Sequence, residues 1–128
     1  PVIAALLAVS DSMPISGRQF LNAYHVGVEV SCRLFDATHL NHILHGFHST
    51  GTCGMLGATM ALTNLLNKDP HSNAIALGIA ASQTGGLQEN FGTMVKPFHA
   101  GRSAESAIVS VDLLNKGFNL KLTICFQV

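Results

Sequence analysis

Charged and aromatic residues are both scarce in this sequence, and neither sign of charge forms a run. Only 11% of its 128 residues are charged, tryptophan is absent and tyrosine occurs once. Seven basic residues are balanced by seven acidic ones, so no basic face is available to follow a phosphate backbone. We therefore do not expect nucleic acid as a partner.

Long apolar runs and a disulfide framework are missing as well. No apolar stretch reaches the roughly eighteen residues that a helix needs to cross a bilayer, so we expect no membrane span. Residues 1–9 are apolar but lack the basic leader and the cleavage site of a signal peptide. Cys32, Cys53 and Cys125 are odd in number and far apart, which favours free thiols in a reducing compartment.

Hydrophobic residues, in contrast, make up 48% of the sequence, a large share for so short a chain. A free-standing domain of this size has much surface to cover with polar groups. Either some apolar surface meets a partner, or the chain is part of a larger protein. We favour the second interpretation.

Patterns typical of α-helices follow one another along most of the chain. Residues 1–9 are rich in alanine and leucine and predict a first helix. Ser16 and Gln19 form a capping-box pattern ahead of apolar residues at spacings of three and four, which predicts a long second helix ending before Gly46. Three further helices are predicted over residues 55–66, 70–82 and 97–116.

Proline and glycine mark the starts and the close contacts of these later helices. The Asp-Pro pair at residues 69–70 and Pro97 are typical of helix starts. Gly51, Gly54 and Gly57 lie at the start of the third helix, although a glycine within a helix costs about 1 kcal/mol relative to alanine. This cluster predicts the close approach of another helix or of a ligand.

The last nine residues follow a different pattern. Apolar and polar residues alternate over residues 120–128 with a period of two, which predicts a strand. The preceding helices offer such a strand no partner to pair with. The sequence therefore predicts an all-α helical bundle of about five helices with a strand-like C-terminal tail.

His48 and Lys96 occupy similar predicted places, each just ahead of a helix start. Helix N-termini present unpaired N–H groups and the positive end of the helix dipole, so anions bind there readily. Lysine pairs well with a carboxylate, and histidine can transfer a proton at neutral pH. The two residues predict recognition of a multiply charged acid followed by proton transfer, unless both are ordinary loop residues.

Four segments of the sequence resemble the MmgE/PrpD family, in the family's order and with compatible spacing. Residues 46–54 (GFHSTGTCG) are similar to its signature segment, with Ser49 where proline is usual. The other three segments are residues 27–34, 80–87 and 92–101. The resemblance covers residues 1–119, as part of the family's helical domain, whereas residues 120–128 do not resemble the family.

The resemblance implies a function and two site residues. Members of the family dehydrate 2-methylcitrate, decarboxylate cis-aconitate or epimerise iminodisuccinate, without a metal or an organic cofactor. At the matching positions, the resemblance implies that His48 is the active-site acid or base and that Lys96 binds a substrate carboxylate. From their places in the sequence, Thr50, Gln83 and His99 are further candidates for contacts with the substrate.

The resemblance also implies what this chain lacks. Members of the family are several times longer, form homodimers, and contribute an Asp and a His before this region and a Lys and a Tyr after it. We therefore expect the chain to hold about half of a site and to be inactive alone. The complete protein is expected to be a homodimeric lyase or isomerase of the cytoplasm or the mitochondrial matrix. The alternative is a non-catalytic helical module that serves subunit association.

A series of histidines raises a third hypothesis, a metal site. Histidine recurs at every third position at His39, His42, His45 and His48. A step of three residues drifts by about 60° around a helix, so the series leaves a single face. No cysteine or carboxylate lies at a ligand-like spacing among them. We expect solvated histidines at a helix end rather than metal ligands.

Overall fold

The computed structural model describes residues 1–120, apart from the side chain of His39, and consists of five α-helices joined by short turns. The helices are α1 (Val2–Ser10), α2 (Gly17–Leu44), α3 (Cys53–Leu65), α4 (Pro70–Ala81) and α5 (Val95–Asn115). A single 3₁₀ turn, Gln88–Asn90, lies between α4 and α5. Within these residues there is no strand, and the predicted all-α bundle is confirmed. All but the first residue of the predicted strand-like tail, 120–128, lies outside the described residues.

The start of α2 follows from the side chains that the sequence places there. The Ser16 hydroxyl accepts a hydrogen bond from the Gln19 backbone N–H at 3.3 Å, and the side-chain amide oxygen of Gln19, Oε1, accepts one from the Ser16 N–H at 2.9 Å. This reciprocal pair satisfies two of the N–H groups that a helix start leaves unpaired. The predicted capping box is confirmed.

The start of α4 is also the predicted one. The Asp69 carboxylate accepts hydrogen bonds from the N–H groups of His71 and Ser72, at 3.0 and 3.1 Å, and from the Ser72 hydroxyl. Pro70 is the first helical residue, where its missing N–H costs no hydrogen bond. The hydrogen bonds from Ser72 hold the pKa of Asp69 below its usual value.

Two helix starts differ from the predictions. Helix α3 begins at Cys53 rather than Met55, and α5 begins at Val95 rather than Pro97. Pro97 is thus the third residue of α5, a position whose N–H would have no partner within the helix in any case. Lys96 therefore lies inside the first turn of α5 and not ahead of it.

Helix α3 lies at the centre of the bundle and packs against each of the other four helices. Its contacts are made largely by small side chains, which let the helix axes come close together. The buried apolar cluster comprises Val2, Ala5, Leu6, Ala23, Ala58, Ala61, Leu62, Leu65, Ala104, Ala107 and Val111. Among the helices of residues 1–120, none has both the length and the apolarity that crossing a bilayer demands.

Helices α2 and α3 approach each other closely at a crossing where two glycines meet. A Cβ atom on Gly57 would overlap the carbonyl oxygen of Gly27 and the hydroxyl of Ser31. A Cβ atom on Gly27 would in turn lie 2.8 Å from the Cβ of Ala61. The helix approach predicted from the glycine cluster is confirmed at Gly57.

We expect the Gly57→Ala substitution to destabilise the fold by about 1–3 kcal/mol, because the added methyl group forces the two helices apart. Gly101→Ala in α5 is the matched control, since nothing lies within 4 Å of its Cβ position. That variant should gain up to about 1 kcal/mol from helix propensity. Denaturant unfolding measures both changes, and equal stability of Gly57→Ala and the parent protein would contradict the contact.

Candidate active site

His48 lies in the turn between α2 and α3, held by its backbone on both sides. Its N–H donates to the carbonyl oxygen of Gly86 at 3.0 Å, and its own carbonyl oxygen accepts from the Gly51 N–H at 2.8 Å. Gly46, with φ of +85°, ends α2 in a conformation that glycine adopts without strain. The His48 side chain is only 9% exposed.

Backbone hydrogen bonds connect the loop after α4, residues 82–94, to the turn that carries His48. The Gly85 N–H donates to the carbonyl oxygen of Gly51 at 3.2 Å, and the Gln88 N–H donates to that of Gly46 at 2.8 Å. A Cβ atom on Gly51 would collide with the Gly85 carbonyl oxygen, so only glycine permits this approach. The turn that carries His48 is therefore fixed relative to the loop that leads into α5.

The imidazole of His48 meets that of His99, which lies on α5. Their Nδ1 atoms are 3.0 Å apart, a hydrogen-bond distance at which one nitrogen donates and the other accepts. The His99 ring packs against Gly86, where a Cβ atom would lie 3.2 Å from the ring. The structure thus brings together two residues that are 51 positions apart in the sequence.

Lys96 is connected to the His48–His99 pair through Phe91, and these four residues form a cluster. The Lys96 ammonium nitrogen lies 4.4 Å from the centre of the Phe91 ring, which is a cation–π contact. The Phe91 ring in turn meets the His48 ring edge-on, with ring centres 4.8 Å apart. Within residues 1–120 the Lys96 ammonium makes no ion pair, so its charge is open to an anion.

The surroundings of His48 favour its neutral form. Burial lowers the pKa of His48 most, and the nearby His99 and Lys96 lower it further. A neutral imidazole has one N–H that can donate a proton and one nitrogen that can accept one. The cluster therefore combines a fixed positive charge with a group suited to proton transfer at neutral pH.

We expect NMR titration to place the pKa of His48 below 6.5, and the Lys96→Met substitution to raise it by removing a positive charge. In the parent protein, the pKa of His48 is lower in the folded chain than in the unfolded chain, so the unfolded chain binds the proton more tightly. The folded state is therefore more stable relative to the unfolded state above a pH of about 6.5, and that stability is lost as the pH falls below it. Lys68→Met is the control: Lys68 lies between α3 and α4 and is not among the charges that lower the pKa of His48, so this substitution should leave that pKa unchanged. A His48 pKa that Lys96→Met leaves unchanged would contradict the electrostatic contact.

The other predicted contacts, Thr50 and Gln83, do not share one pocket. The Gln83 amide donates to the Ser110 hydroxyl at 2.8 Å and faces a pocket of about 170 Å³ that His99 also lines. Thr50 instead lines a larger pocket, of about 370 Å³, beside the start of α1 and the middle of α2. The backbone carbonyl of Thr50 accepts a hydrogen bond from Ser103 at 3.3 Å.

Comparison with known proteins identifies the family of this chain. The sequence profile of the MmgE/PrpD N-terminal domain matches residues 1–122. The chain belongs to the MmgE/PrpD family. It is 32% identical over 121 residues to cis-aconitate decarboxylase of Homo sapiens, covering 91% of this chain and 25% of that protein.

Two further relatives carry the same name. Cis-aconitate decarboxylases of Mus musculus and Aspergillus terreus are each 31% identical, over 121 and 124 residues, and each match covers 91% of this chain. The chain spans about a quarter of the length of these curated relatives. The predicted family is therefore confirmed, and it gives the chain an enzyme-related role at the level of the family.

Three of the segments that resemble the MmgE/PrpD family come together at this cluster. Residues 46–54 and 80–87 meet through the backbone bonds that hold His48, and residues 92–101 carry Lys96 and His99. Residues 27–34 contact α3 through Gly27, and Ser31 and Cys32 line the pocket of about 370 Å³ together with residues of the 46–54 segment. The fourth segment thus lies at the crossing of α2 and α3, beside the turn that carries His48.

One residue of the cluster, Phe91, was missed by the sequence analysis. It joins His48 to Lys96, and its only signal is that it is an aromatic residue inside a glycine-rich loop of an MmgE/PrpD chain that has few aromatics. A loop without a periodic pattern does not indicate which way its side chains point. Contacts of this kind are decided by tertiary packing.

The prediction of solvated side chains holds for only one of the three histidines of the series whose side chains the structure describes. His45 is exposed, as predicted, but His42 accepts or donates a hydrogen bond at 2.7 Å to the Thr52 hydroxyl and stacks on Phe47. His48 is buried, so the prediction is wrong for these two residues. No group of three or more His, Cys, Asp or Glu side chains that could hold a metal ion is found in the described part of the chain.

Proposed function

We propose that this chain forms part of the active site of a cofactor-independent lyase or isomerase that acts on a small di- or tricarboxylate. Decarboxylation of cis-aconitate is the leading candidate, because relatives that match 91% of the chain carry that name. The observation that carries the proposal is the cluster in which Phe91 joins His48, whose pKa is lowered, to Lys96, whose ammonium makes no ion pair within residues 1–120.

The two side chains suit the charge changes of such a reaction. When a carboxylate leaves as CO₂, the electron pair of the broken C–C bond passes to the neighbouring carbon and into the adjacent unsaturated acid. That negative charge is stabilised by a nearby cation, and the carbon is then protonated. In this proposal Lys96 binds a carboxylate of the substrate and His48 transfers the proton.

The proposed chemistry calls for no metal or organic cofactor. The substrate's own remaining carboxylates accept the developing charge, and Lys96 and the helix start that carries it stabilise that charge. The resemblance also implied dehydration of 2-methylcitrate and epimerisation of iminodisuccinate. Both reactions likewise require stabilisation of negative charge that develops next to a carboxylate. In each of them a bond is made or broken beside a carboxylate.

We further propose that the chain supplies only part of the site and that the complete protein is a homodimer. Several large apolar side chains beside the cluster are exposed, with Met94 at 91% and Phe98 at 63%, and Leu87 and Phe91 about half exposed. Exposed apolar patches of this kind mark surfaces that other protein segments cover. The family resemblance implies that the missing Asp, His, Lys and Tyr come from the rest of the protein.

The test is to assay the complete protein encoded around this chain, and the chain alone, with cis-aconitate, 2-methylcitrate and iminodisuccinate. We expect the complete protein to convert one of these acids and the chain alone to convert none. Decarboxylation releases CO₂ and a five-carbon unsaturated diacid, which mass spectrometry detects. A complete protein that sediments as a dimer but converts none of the acids would favour the non-catalytic alternative and overturn the proposal.

A further inference from the structure

The contact between His48 and His99 restricts what each ring can do. Only one hydrogen fits between the two Nδ1 atoms, which are 3.0 Å apart. If His99 donates it, neutral His48 carries its own proton on Nε2; if His48 donates it, its Nε2 is bare and accepts a proton. The hydrogen bond at Nδ1 therefore decides whether Nε2 of His48, on the side of the ring away from His99, carries a proton or can accept one.

His99 is the better anchored of the two residues. It lies in α5, and its carbonyl oxygen accepts a hydrogen bond from the Ser103 hydroxyl at 2.6 Å. Gly86 packs tightly against one side of its ring, where an added Cβ atom would lie 3.2 Å from the ring. His48, in contrast, lies in a turn, and within the described residues its imidazole makes no hydrogen bond besides the one it shares with His99.

We propose that His99 is a positioning residue, which fixes the orientation and the tautomer of the His48 ring so that Nε2 is presented to the substrate. This inference rests on the proposed function, in which His48 transfers the proton. It replaces the direct contact with substrate that the sequence predicted for His99. Groups that orient an active-site histidine through its second nitrogen act in this way on several folds.

Kinetics of the complete protein test the proposal. His99→Phe keeps an aromatic ring but removes the nitrogen, and we expect it to lower kcat by about 10- to 100-fold with KM changed less than about 3-fold. His99→Asn places a polar group near the former Nδ1 and should recover part of the loss. His71→Asn is the control, because His71 is exposed on α4 and remote from the cluster.

A double substitution separates positioning from a structural role. If His99 acts only through His48, adding His99→Phe to a His48→Ala variant should cause no further loss of kcat. A further loss equal to that of the single substitution would overturn the proposal. So would an unchanged kcat in His99→Phe, or a rise in KM alone, which would return His99 to direct substrate binding.

Imidazole nitrogen NMR distinguishes failure of this inference from failure of the proposed function. The Nδ1 signal of His48 should move in His99→Phe and in His99→Asn, whether or not the protein converts any acid. An unchanged signal in both variants would overturn the positioning role. If that signal moves but the unsubstituted protein converts none of the acids, the contact stands and the proposed function fails.

Discussion

Replacing His48 with alanine is expected to lower kcat of the complete protein by about 10²- to 10⁴-fold, with little change in KM. The reason is that alanine removes the imidazole that transfers the proton, while the charge of Lys96 that binds the substrate stays in place. Because the bond to His99 is made by the His48 side chain alone, the backbone contacts to Gly51 and Gly86 should survive the substitution. Steady-state kinetics with the converted acid measure the effect.

The control for His48→Ala is His45→Ala. His45 directly follows the last residue of α2, three positions before His48, and is exposed; within the described residues its ring bonds the backbone carbonyl of Asn41. We expect that variant to keep its kcat. A His48→Ala variant that is folded, as judged by circular dichroism, and that retains full kcat would show that another group transfers the proton.

Replacing Lys96 with alanine is expected to raise KM by about 10- to 100-fold, which corresponds to loss of one charge-assisted hydrogen bond. We expect kcat to fall less than in His48→Ala. Lys96 lies in the first turn of α5, so its charge and the positive end of the helix dipole would attract the same anion. Within residues 1–120 its ammonium group makes no ion pair, and its contact with the Phe91 ring leaves no charge unpaired when it is lost, so the fold should be little affected.

The matched control is Lys116→Ala at the opposite end of α5. Lys116 is exposed and pairs with Asp112 at 2.7 Å, an ion pair worth little in water. We expect its KM to equal that of the parent protein. Raising the ionic strength should raise KM in the parent and less so in Lys96→Ala. Equal KM in Lys96→Ala and the parent protein would contradict the proposal that Lys96 binds a carboxylate of the substrate.

Much of the fold could be predicted because its signals are local. The capping box at Ser16 and Gln19 and the Asp-Pro start of α4 both specify hydrogen bonds between residues three or fewer positions apart. The start of α5 was misplaced by two residues because proline is tolerated throughout the first turn of a helix. The glycine at position 57 predicted a close contact, but not that Gly27 would be its partner.

Less of the candidate site could be predicted from the residues alone. The family resemblance indicated His48 and Lys96, and the structure brings both to one cluster. It did not indicate that Phe91 would join them, or that the His99 ring would bond the His48 ring. The positions of Thr50, Gln83 and His99 in the sequence made all three candidates for substrate contacts, whereas Thr50 lines a different pocket from Gln83 and His99.

The sequence by itself determined the five helices, most of their ends and the family, because these depend on the order and spacing of nearby residues. Only the tertiary structure decided which distant side chains meet. The backbone bonds from Gly85 and Gln88 to the turn after α2 set the position of His48 relative to α5. Helical periodicity shows which face of a helix is apolar, but not how two helices and the loops between them are oriented. The pairing of His48 with His99 depends on that orientation.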